Sequence, residues 1–273
     1  MLAYWYRFRQ LLLFYGRAVT KYQIHSPFVF ELANEVLDDE RWYYAFRDIE
    51  QLRDRMLDSR VKFEFADFGA RSGPYGAKRK VAVRDMARRA ASSPGQGRML
   101  FRLVNRLAPK TMLELGTSLG IGAMYLASAA RAARLVSLEG DAECARMARI
   151  NLDTLKLDNA EVMSGPFEKT LPVALERLQH VDFVFIDGNH RPEPTLACFG
   201  ACLPYARDKT VFVFDDICWS PGMRKAWQQI QQHPRVTLTV DFFDLSLAFI
   251  NPDFKEKQHF SVVRTALKPW TIF

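Results

Sequence analysis

The second half of the chain alternates short apolar runs with longer segments of helical periodicity, and this alternation restricts the fold more than any other feature. Seven runs are predicted to be strands, at residues 111–115, 135–139, 160–163, 182–187, 210–214, 236–242 and 245–250. Five helices are predicted between them, near residues 122–131, 142–155, 167–179, 192–205 and 221–233. The pattern is typical of repeated βα units around a parallel sheet.

The last two of these runs are separated only by Phe243 and Asp244. A parallel connection needs a crossover of about a dozen residues or more, so these two strands should be antiparallel. The fold class is therefore predicted to be α/β, with a mostly parallel sheet that ends in an antiparallel pair.

The N-terminal part of the chain has a different character. Aromatic-rich amphipathic stretches at residues 4–19, 28–37 and 42–57 are separated by chain breakers at His25-Ser26-Pro27 and around residues 69–74, with no convincing β run. We predict a helical region over 1–109, which caps the site and shapes the substrate pocket, followed by an α/β domain over 110–273. Ser26 and Pro27 are predicted to begin a helix as N-cap and first turn. His25 reaching into the substrate pocket is the alternative.

The basic charge of the chain is concentrated in one segment. The whole chain has a net charge of +7, whereas residues 71–110 hold eleven basic residues against the single acid Asp85, a net of +10 that leaves −3 elsewhere. Residues 78–89 are either the solvated face of a helix or a patch that docks phosphates. The segment contains only two aromatic residues, Tyr75 and Phe101, so it offers no stacking platform for single-stranded nucleic acid.

Cysteine content and hydropathy indicate the cellular compartment of the protein. The four cysteines form no CxxC pair, which indicates neither a disulfide framework nor a zinc ribbon. No apolar run approaches the roughly 20 residues needed to cross a bilayer, and the apolar run at residues 11–15 is too short for the core of a signal peptide. We expect a soluble, cytoplasmic protein that does not associate with a membrane.

The strongest local motif is the glycine-rich turn after the first predicted strand. The strand carries Glu114 near its end and turns through Gly116, Gly120 and Gly122 into a helix. Glycine lets the backbone approach a ligand closely and adopt a positive φ. The spacing is GxxxGxG, unlike the GxGxxG of dinucleotide loops, and a carboxylate at this place repels phosphate but can accept from an ammonium group. The motif therefore favours a cationic nucleoside over NAD.

A second acid stands at the end of the next predicted strand. Glu139 lies where it can accept hydrogen bonds from both hydroxyl groups of a ribose. The alternative is that an acid at a strand end only caps the following helix, and Asp141 has the position of such a cap.

On these residues the sequence resembles the class I S-adenosylmethionine-dependent methyltransferases and, within them, the catechol O-methyltransferase-like O-methyltransferases. The resemblance covers about residues 110–250 and is carried by the motifs at 114–123, 139, 164–167, 183–190 and 211–217. It implies a Rossmann-like seven-stranded, mostly parallel sheet with an antiparallel last strand. It also implies S-adenosylmethionine as cofactor, with these contacts: Glu114, Gly116, Ser118, Gly120 and Gly122 around the methionine part, Glu139 on the ribose, and Ser164, Gly165 and Phe167 bordering the adenine.

Three carboxylates are predicted at the rim of the sheet. Asp187 closes a very apolar strand, and the next strand closes with Asp215 and Asp216. Clustered carboxylates repel one another unless a cation or protons intervene, and an oxygen-only set suits Mg²⁺ or Mn²⁺. Metal-dependent relatives hold the ion with an Asp and an Asp-Asn pair, so Asp216 departs from that pattern. The alternatives are that Asp187 contacts the cofactor ammonium and that Asp215 and Asp216 bind polar groups of the substrate.

Two residues are candidates for catalysis, His190 and Asp187. His190 stands where the resembled family carries a catalytic lysine, and a histidine can deprotonate a hydroxyl group near neutral pH. The alternative for His190 is a loop residue bonded to the backbone.

The function predicted from these features is O-methylation of a small hydroxylated substrate with S-adenosylmethionine, with assistance from a divalent metal left open. One alternative is an RNA nucleoside methyltransferase, for instance one acting on tRNA, which uses the basic segment 71–110. Another is a regulator that binds the cofactor without catalysis.

Overall fold

The computed structural model describes residues 2–67, 77–89, 92–188 and 191–272. The N-terminal elements are α1 (Leu2–Arg17), α2 (Pro27–Leu32) continued by a π-helical turn (Ala33–Leu37), α3 (Tyr44–Asp58), β1 (Lys62–Asp67), β2 (Ala77–Ala82), α4 (Val83–Arg89) and α5 (Pro94–Leu107). Ser26 and Pro27 begin α2 as predicted, and the side chain of His25 is exposed. None of the described helices combines the length and apolar character needed to cross a membrane.

The remaining elements follow the predicted alternation. They are β3 (Thr111–Leu115), α6 (Ile121–Ala129), β4 (Arg134–Glu139), α7 (Ala142–Thr154), β5 (Ala160–Ser164), α8 (Phe167–Leu178), β6 (Val181–Ile186), α9 (Pro192–Cys202), β7 (Ala206–Asp215), α10 (Pro221–Gln232), β8 (Leu238–Asp241), β9 (Leu245–Ile250) and β10 (Gln258–Ser261). All seven predicted strands and all five predicted helices in this half of the chain are confirmed, with small differences at their ends.

These strands form one twisted layer with the order β10-β8-β9-β7-β6-β3-β4-β5. Neighbours are parallel except for β9, which is antiparallel to both β7 and β8, as the two-residue separation predicts. An eighth strand, β10, pairs in parallel with β8 at the edge and was not predicted. The strand order reverses next to β3, which lies between β4 and β6. A crevice for ligands is expected outside the carboxyl ends of these three strands.

The prediction that residues 1–109 are wholly helical is wrong for β1 and β2. These strands pair antiparallel, with Phe65 opposite Arg79, and the Arg79 guanidinium lies 5.7 Å from the centre of the Phe65 ring. Residues 62–65 alternate charged and apolar side chains, which is the period of a half-buried strand. Of the segment predicted as a charged helix, only α4 is helical. The breaker predicted at residues 69–74 lies outside the described residues.

The N-terminal helices pack directly on the sheet. Phe28 of α2 contacts Phe249 of β9 edge to face, with ring centres 5.3 Å apart. Phe46 of α3 and Tyr125 of α6 are both fully buried, with ring centres 5.9 Å apart. Both regions therefore contribute to one continuous apolar core. The domain division at residue 110 stays a prediction.

Three arginines on one face of α5 hold the N-terminal layer through ion pairs. Arg98, Arg102 and Arg106 are four residues apart and therefore share a helix face. Arg98 pairs with Glu50 through two hydrogen bonds of 2.7 and 2.8 Å. Arg102 lies 3.3 Å from Asp39 and donates to the carbonyl oxygen of Arg41 at 3.1 Å. Arg106 pairs with Glu35 at 3.0 Å and with Glu31. This part of the basic segment is therefore engaged inside the protein.

The contact between α5 and α6 depends on a glycine and is open to a direct test. A Cβ at Gly97 would lie 2.2 Å from the Tyr125 ring, whereas a Cβ at Gly95 on the same helix would have only the Ser93 hydroxyl, 3.9 Å away, within 4 Å. We expect Gly97→Ala to lower the free energy of unfolding by about 1–3 kcal/mol through overpacking. Gly95→Ala should be neutral or stabilising by up to about 1 kcal/mol. Urea unfolding measures both; equal stabilities would contradict the close packing.

Candidate active site

A cleft opens at the carboxyl edge where β3 meets β6. Its lining consists of Ser92, Glu114, Gly116, Thr117, Ser118, Leu119, Ile121, Gly122 and Asp187. Five of the predicted cofactor-binding residues therefore come together there, namely Glu114, Gly116, Ser118, Gly122 and Asp187.

The glycines keep the backbone close to its neighbours and the cleft open. Gly116 has a φ of 104°, and its amide donates to the carbonyl oxygen of Leu138 at 2.9 Å. A Cβ on Gly116 would lie 2.9 Å from the Asp187 backbone, so a larger residue would push the loop off the end of β6. Gly120 has a φ of 84° at the start of α6. A Cβ on Gly122 would lie 2.5 Å from Glu114 Oε1, so this glycine leaves room above the carboxylate.

Glu114 is a fully buried acid with an unsatisfied oxygen. Its Oε2 accepts from the hydroxyl of Ser137, which also lies 2.5 Å from the hydroxyl of Thr117. Its Oε1 has no hydrogen-bond partner among the described residues. Burial raises the pKa of Glu114 to about 8, against the Ser137 hydrogen bond and with a contribution from Glu139. Because buried polar atoms are rarely left unpaired, this oxygen indicates a donor supplied by a ligand in the cleft.

Glu139, at the end of β4, is held by backbone amides. Its Oε2 accepts from the amide of Ser118 at 2.7 Å and its Oε1 from the amide of Asp141 at 2.9 Å. Burial raises the pKa of Glu139 to about 7, and these amides act in the opposite direction. The helix cap is provided by Asp141, which accepts from the amide of Cys144 at 2.8 Å. Glu139 thus has a fixed orientation, with lone pairs remaining for hydroxyl groups.

The turn after β5 lies beside Glu139. Ser164 pairs with Glu139 in the strand register, and the amide of Gly165 donates to the carbonyl oxygen of Glu139 at 2.8 Å. The Phe167 ring packs so closely on Gly188 that a Cβ there would lie 2.5 Å from it. Ser164, Gly165 and Phe167 do not line the cleft itself. Their contact with adenine stays a prediction.

Two of the three rim carboxylates meet. Asp187 and Asp215 are hydrogen-bonded to each other. Burial and the charge of Asp215 raise the pKa of Asp187 well above its usual range. Burial and the charge of Asp216 raise the pKa of Asp215 to about 7, against the hydrogen bond with Asp187. Asp215 Oδ1 also accepts from Gln96 Nε2 at 2.7 Å and from the amide of Asp216 at 2.8 Å. Near neutral pH the two carboxyl groups therefore share a proton.

The third carboxylate is directed elsewhere. Asp216 has a φ of 51°, and its Oδ1 lies 3.3 Å from Arg7 Nη1. Within residues 2–67, 77–89, 92–188 and 191–272, no three His, Cys, Asp or Glu side chains are arranged to hold a metal ion. The described side chains thus do not fit the predicted ligand set of Asp187, Asp215 and Asp216 for Mg²⁺ or Mn²⁺, and metal binding stays a prediction. His190 lies outside the described residues, so its catalytic role is also a prediction.

Sequence reasoning missed Gln96 and Arg7. Ser93 caps α5 by accepting from the amide of Gln96 at 3.2 Å, and a Ser with Gln three residues later is a recognisable helix start. That signal places Gln96 in the first turn of a helix but says nothing of its contact with Asp215. No local pattern distinguishes Arg7 from the other arginines of α1.

Comparisons with known proteins agree with this geometry. A family model described as a methyltransferase domain matches residues 113–217. The catechol O-methyltransferase of Mycobacterium tuberculosis is 30% identical over 165 residues, which cover 55% of this chain and 73% of that protein.

Solved structures give the same fold. The O-methyltransferase TomG from Streptomyces achromogenes, solved in complex with S-adenosylmethionine, aligns with a TM-score of 0.53 and 25% identity over 59% of this chain and 82% of that one. An O-methyltransferase from Bacillus cereus, solved in complex with SAH, aligns with a TM-score of 0.55 and 22% identity over 81% and 96% of the two chains.

The segment matched by the family model contains both acids at the strand ends, the glycine-rich turn and the Asp187–Asp215 pair. The curated relative is matched over most of its own length. The chain therefore belongs to the class I S-adenosylmethionine-dependent O-methyltransferases.

Proposed function

We propose that the protein transfers the methyl group of S-adenosylmethionine to a hydroxyl oxygen of a small molecule. The observation that carries this proposal is the unpaired Oε1 of Glu114, buried beneath the cleft that the glycine-rich turn lines. Glu139 stands across the same turn with free lone pairs. Two acids so placed complement the ammonium group, the sulfonium charge and the ribose hydroxyls of this methyl donor.

The predicted contacts divide along the cleft. Glu114 and the turn at residues 116–122, which includes Ser118, hold the methionine part, and Glu139 holds the ribose. Ser164, Gly165 and Phe167 border the adenine. Asp187 lines the cleft after β6, whereas Glu139 ends β4 on the other side of β3, and we assign Asp187 to the acceptor side.

The bound methyl donor supplies a carbon that the acceptor oxygen attacks in line, with the electrons of the broken carbon–sulfur bond passing to sulfur. The protein must accept the proton that the acceptor hydroxyl loses. The Asp187–Asp215 pair can do so, because it holds one shared proton near neutral pH and thus one site for another. Gln96 and the Asp216 amide orient Asp215 for this role. His190 is the second candidate for a base.

A small acceptor is favoured over RNA because part of the basic segment is not available to phosphates. Arg98, Arg102 and Arg106 are engaged in ion pairs within the protein, whereas Lys78, Lys80 and Arg88 are exposed. Catechol O-methyltransferase, the relative named above, makes catechols the first acceptors to test. Tight RNA binding that weakens steeply with salt would instead favour the RNA methyltransferase.

Turnover tests the proposal directly. With S-adenosylmethionine and a panel of catechols and phenols, we expect release of S-adenosylhomocysteine, measured by mass spectrometry. Asp215→Asn should lower kcat by about 10²–10⁴-fold because the proton acceptor is lost, and the surface control Asp253→Asn should leave kcat unchanged.

The same assay tests two of the alternatives. If methyl transfer persists in the presence of a metal chelator, the reaction does not require a divalent metal ion. Cofactor binding without turnover of any acceptor would favour the non-catalytic regulator.

The role of Glu139 is tested by calorimetry. Glu139→Gln should weaken binding of S-adenosylmethionine by about 1.5–3 kcal/mol, as expected for lost hydrogen bonds to a charged group. The matched control is Glu143→Gln, which removes the same charge from a partly exposed position on α7, where Glu143 pairs with Arg146 at 3.0 Å. If both variants lost the same affinity for S-adenosylmethionine, the effect of Glu139 would come from its long-range charge and not from contact with the ribose.

Cofactor affinity should also depend on pH. Glu139 with a pKa of about 7 is mostly protonated at about pH 6 and mostly ionised at about pH 8, and only the ionised form accepts both ribose hydroxyls. The affinity of the wild type relative to Glu139→Gln should therefore rise about tenfold over this interval. Using the ratio cancels titration of the ligand. A ratio that does not change with pH would contradict the role of Glu139.

A further inference from the structure

Helix α1 lies across the carboxyl edge of the sheet and is held there by two arginines. Arg7 Nη1 lies 3.3 Å from Asp216 Oδ1, and Arg7 Nη2 lies 3.5 Å from Asp244 Oδ1. Ten residues along the helix, Arg17 Nη2 lies 3.3 Å from Asp241 Oδ2. The helix is thus fixed at two places: Arg7 contacts acids that follow β7 and lie in the turn between β8 and β9, and Arg17 contacts the acid that ends β8.

An aromatic contact between these two places fixes the helix further. Phe14 is buried, and its ring centre lies 5.4 Å from that of Phe243. The Arg7 guanidinium lies 6.0 Å from the same Phe243 ring. The position of Arg7 is therefore determined by packing as well as by charge.

The contact of Arg7 with Asp216 separates this acid from its neighbours. The Asp216 side chain is only 12% exposed, so its charge requires a partner. Its backbone amide donates to Asp215, while its carboxylate is directed to Arg7 by a positive φ. Asp187 thus lines the cleft with Asp215 hydrogen-bonded to it, while Asp216 is paired with Arg7.

We propose that Arg7 is a positioning residue of the active site: its guanidinium holds Asp216 apart from the Asp187–Asp215 pair and balances its charge in place of a divalent metal ion. This inference rests on the proposed function, which assigns the pair to the acceptor side of the cleft. The sequence predicts that Asp187, Asp215 and Asp216 hold one metal ion, whereas in the structure Asp187 and Asp215 are hydrogen-bonded and Asp216 pairs with Arg7. The role proposed for Arg7 explains this difference.

Removing the guanidinium has a definite physical consequence. Asp216 would lose this cation, and its largely buried negative charge would be less well balanced beside two other carboxyl groups whose pKa it already raises. Three oxygen donors that repel one another are a favourable environment for a hard divalent cation. The loss of Arg7 should therefore raise the affinity for Mn²⁺ above that of the wild type.

The experiment is a titration of the full-length protein with Mn²⁺ alone, followed by the electron paramagnetic resonance signal of the free ion. Arg7→Gln should bind Mn²⁺ at least tenfold more tightly than the wild type. Arg7→Lys keeps the positive charge and should stay near the wild type. The double variant Arg7→Gln with Asp216→Asn should lose the gain. The matched control, Arg17→Gln, removes the same charge from the same helix and should not gain affinity.

Three results would overturn the proposal: a wild type that already binds Mn²⁺ as tightly as Arg7→Gln, an equal gain in Arg17→Gln, or a gain that survives Asp216→Asn. Arg7→Met, which keeps an apolar stem against Phe243, serves as the second variant if Arg7→Gln does not fold. Calorimetry with S-adenosylhomocysteine, run on each protein, separates the two hypotheses. Failure to bind that compound counts against the proposed function, whereas the Mn²⁺ series alone decides the role of Arg7.

Discussion

The structure depends on compensation of negative charge at the carboxyl edge of the sheet. Glu114, Glu139, Asp187 and Asp215 lie there in surroundings that raise the pKa of each. The protein meets part of this demand with backbone amides, a serine hydroxyl, a glutamine and a shared proton. The Oε1 atom of Glu114 still has no donor, and Glu139 has lone pairs left to accept from hydroxyl groups. A sulfonium nucleoside with an ammonium group supplies both, which links the electrostatics of the fold to its choice of cofactor.

The N-terminal layer completes this compensation from outside the sheet. Gln96 of α5 reaches Asp215, and Arg7 of α1 reaches Asp216. The arginine face of α5 in turn holds α2 and α3 through ion pairs, so the basic segment contributes to the site indirectly by fixing the helix that carries Gln96. The carboxylates beside the cleft are therefore held in place by residues from both halves of the chain.

An element can be predicted from the sequence when its own residues carry a clear pattern. The strands of the second half were found because buried parallel strands are continuous apolar runs with polar ends, as in β6. The strand β10 was missed because four residues, Gln258–Ser261, carry too little pattern. The pair β1 and β2 was missed because its charged residues obscured the alternation around Phe63 and Phe65. In the site, Glu114, Glu139 and the glycines were predictable since each follows from a strand end and the turn after it.

The sequence by itself determined the βα alternation, the antiparallel end of the sheet and the acids on either side of the glycine-rich turn. These are local properties, because a strand, its polar end and the positive φ of the next glycine are encoded within a few residues. Only the tertiary structure decided which carboxylates meet. Gln96 and Asp215 are 119 residues apart, and Arg7 and Asp216 are 209 residues apart. Charges so distant in sequence become neighbours only through helix packing, and the direction of the Asp216 side chain is decided by the partner that packing brings to it.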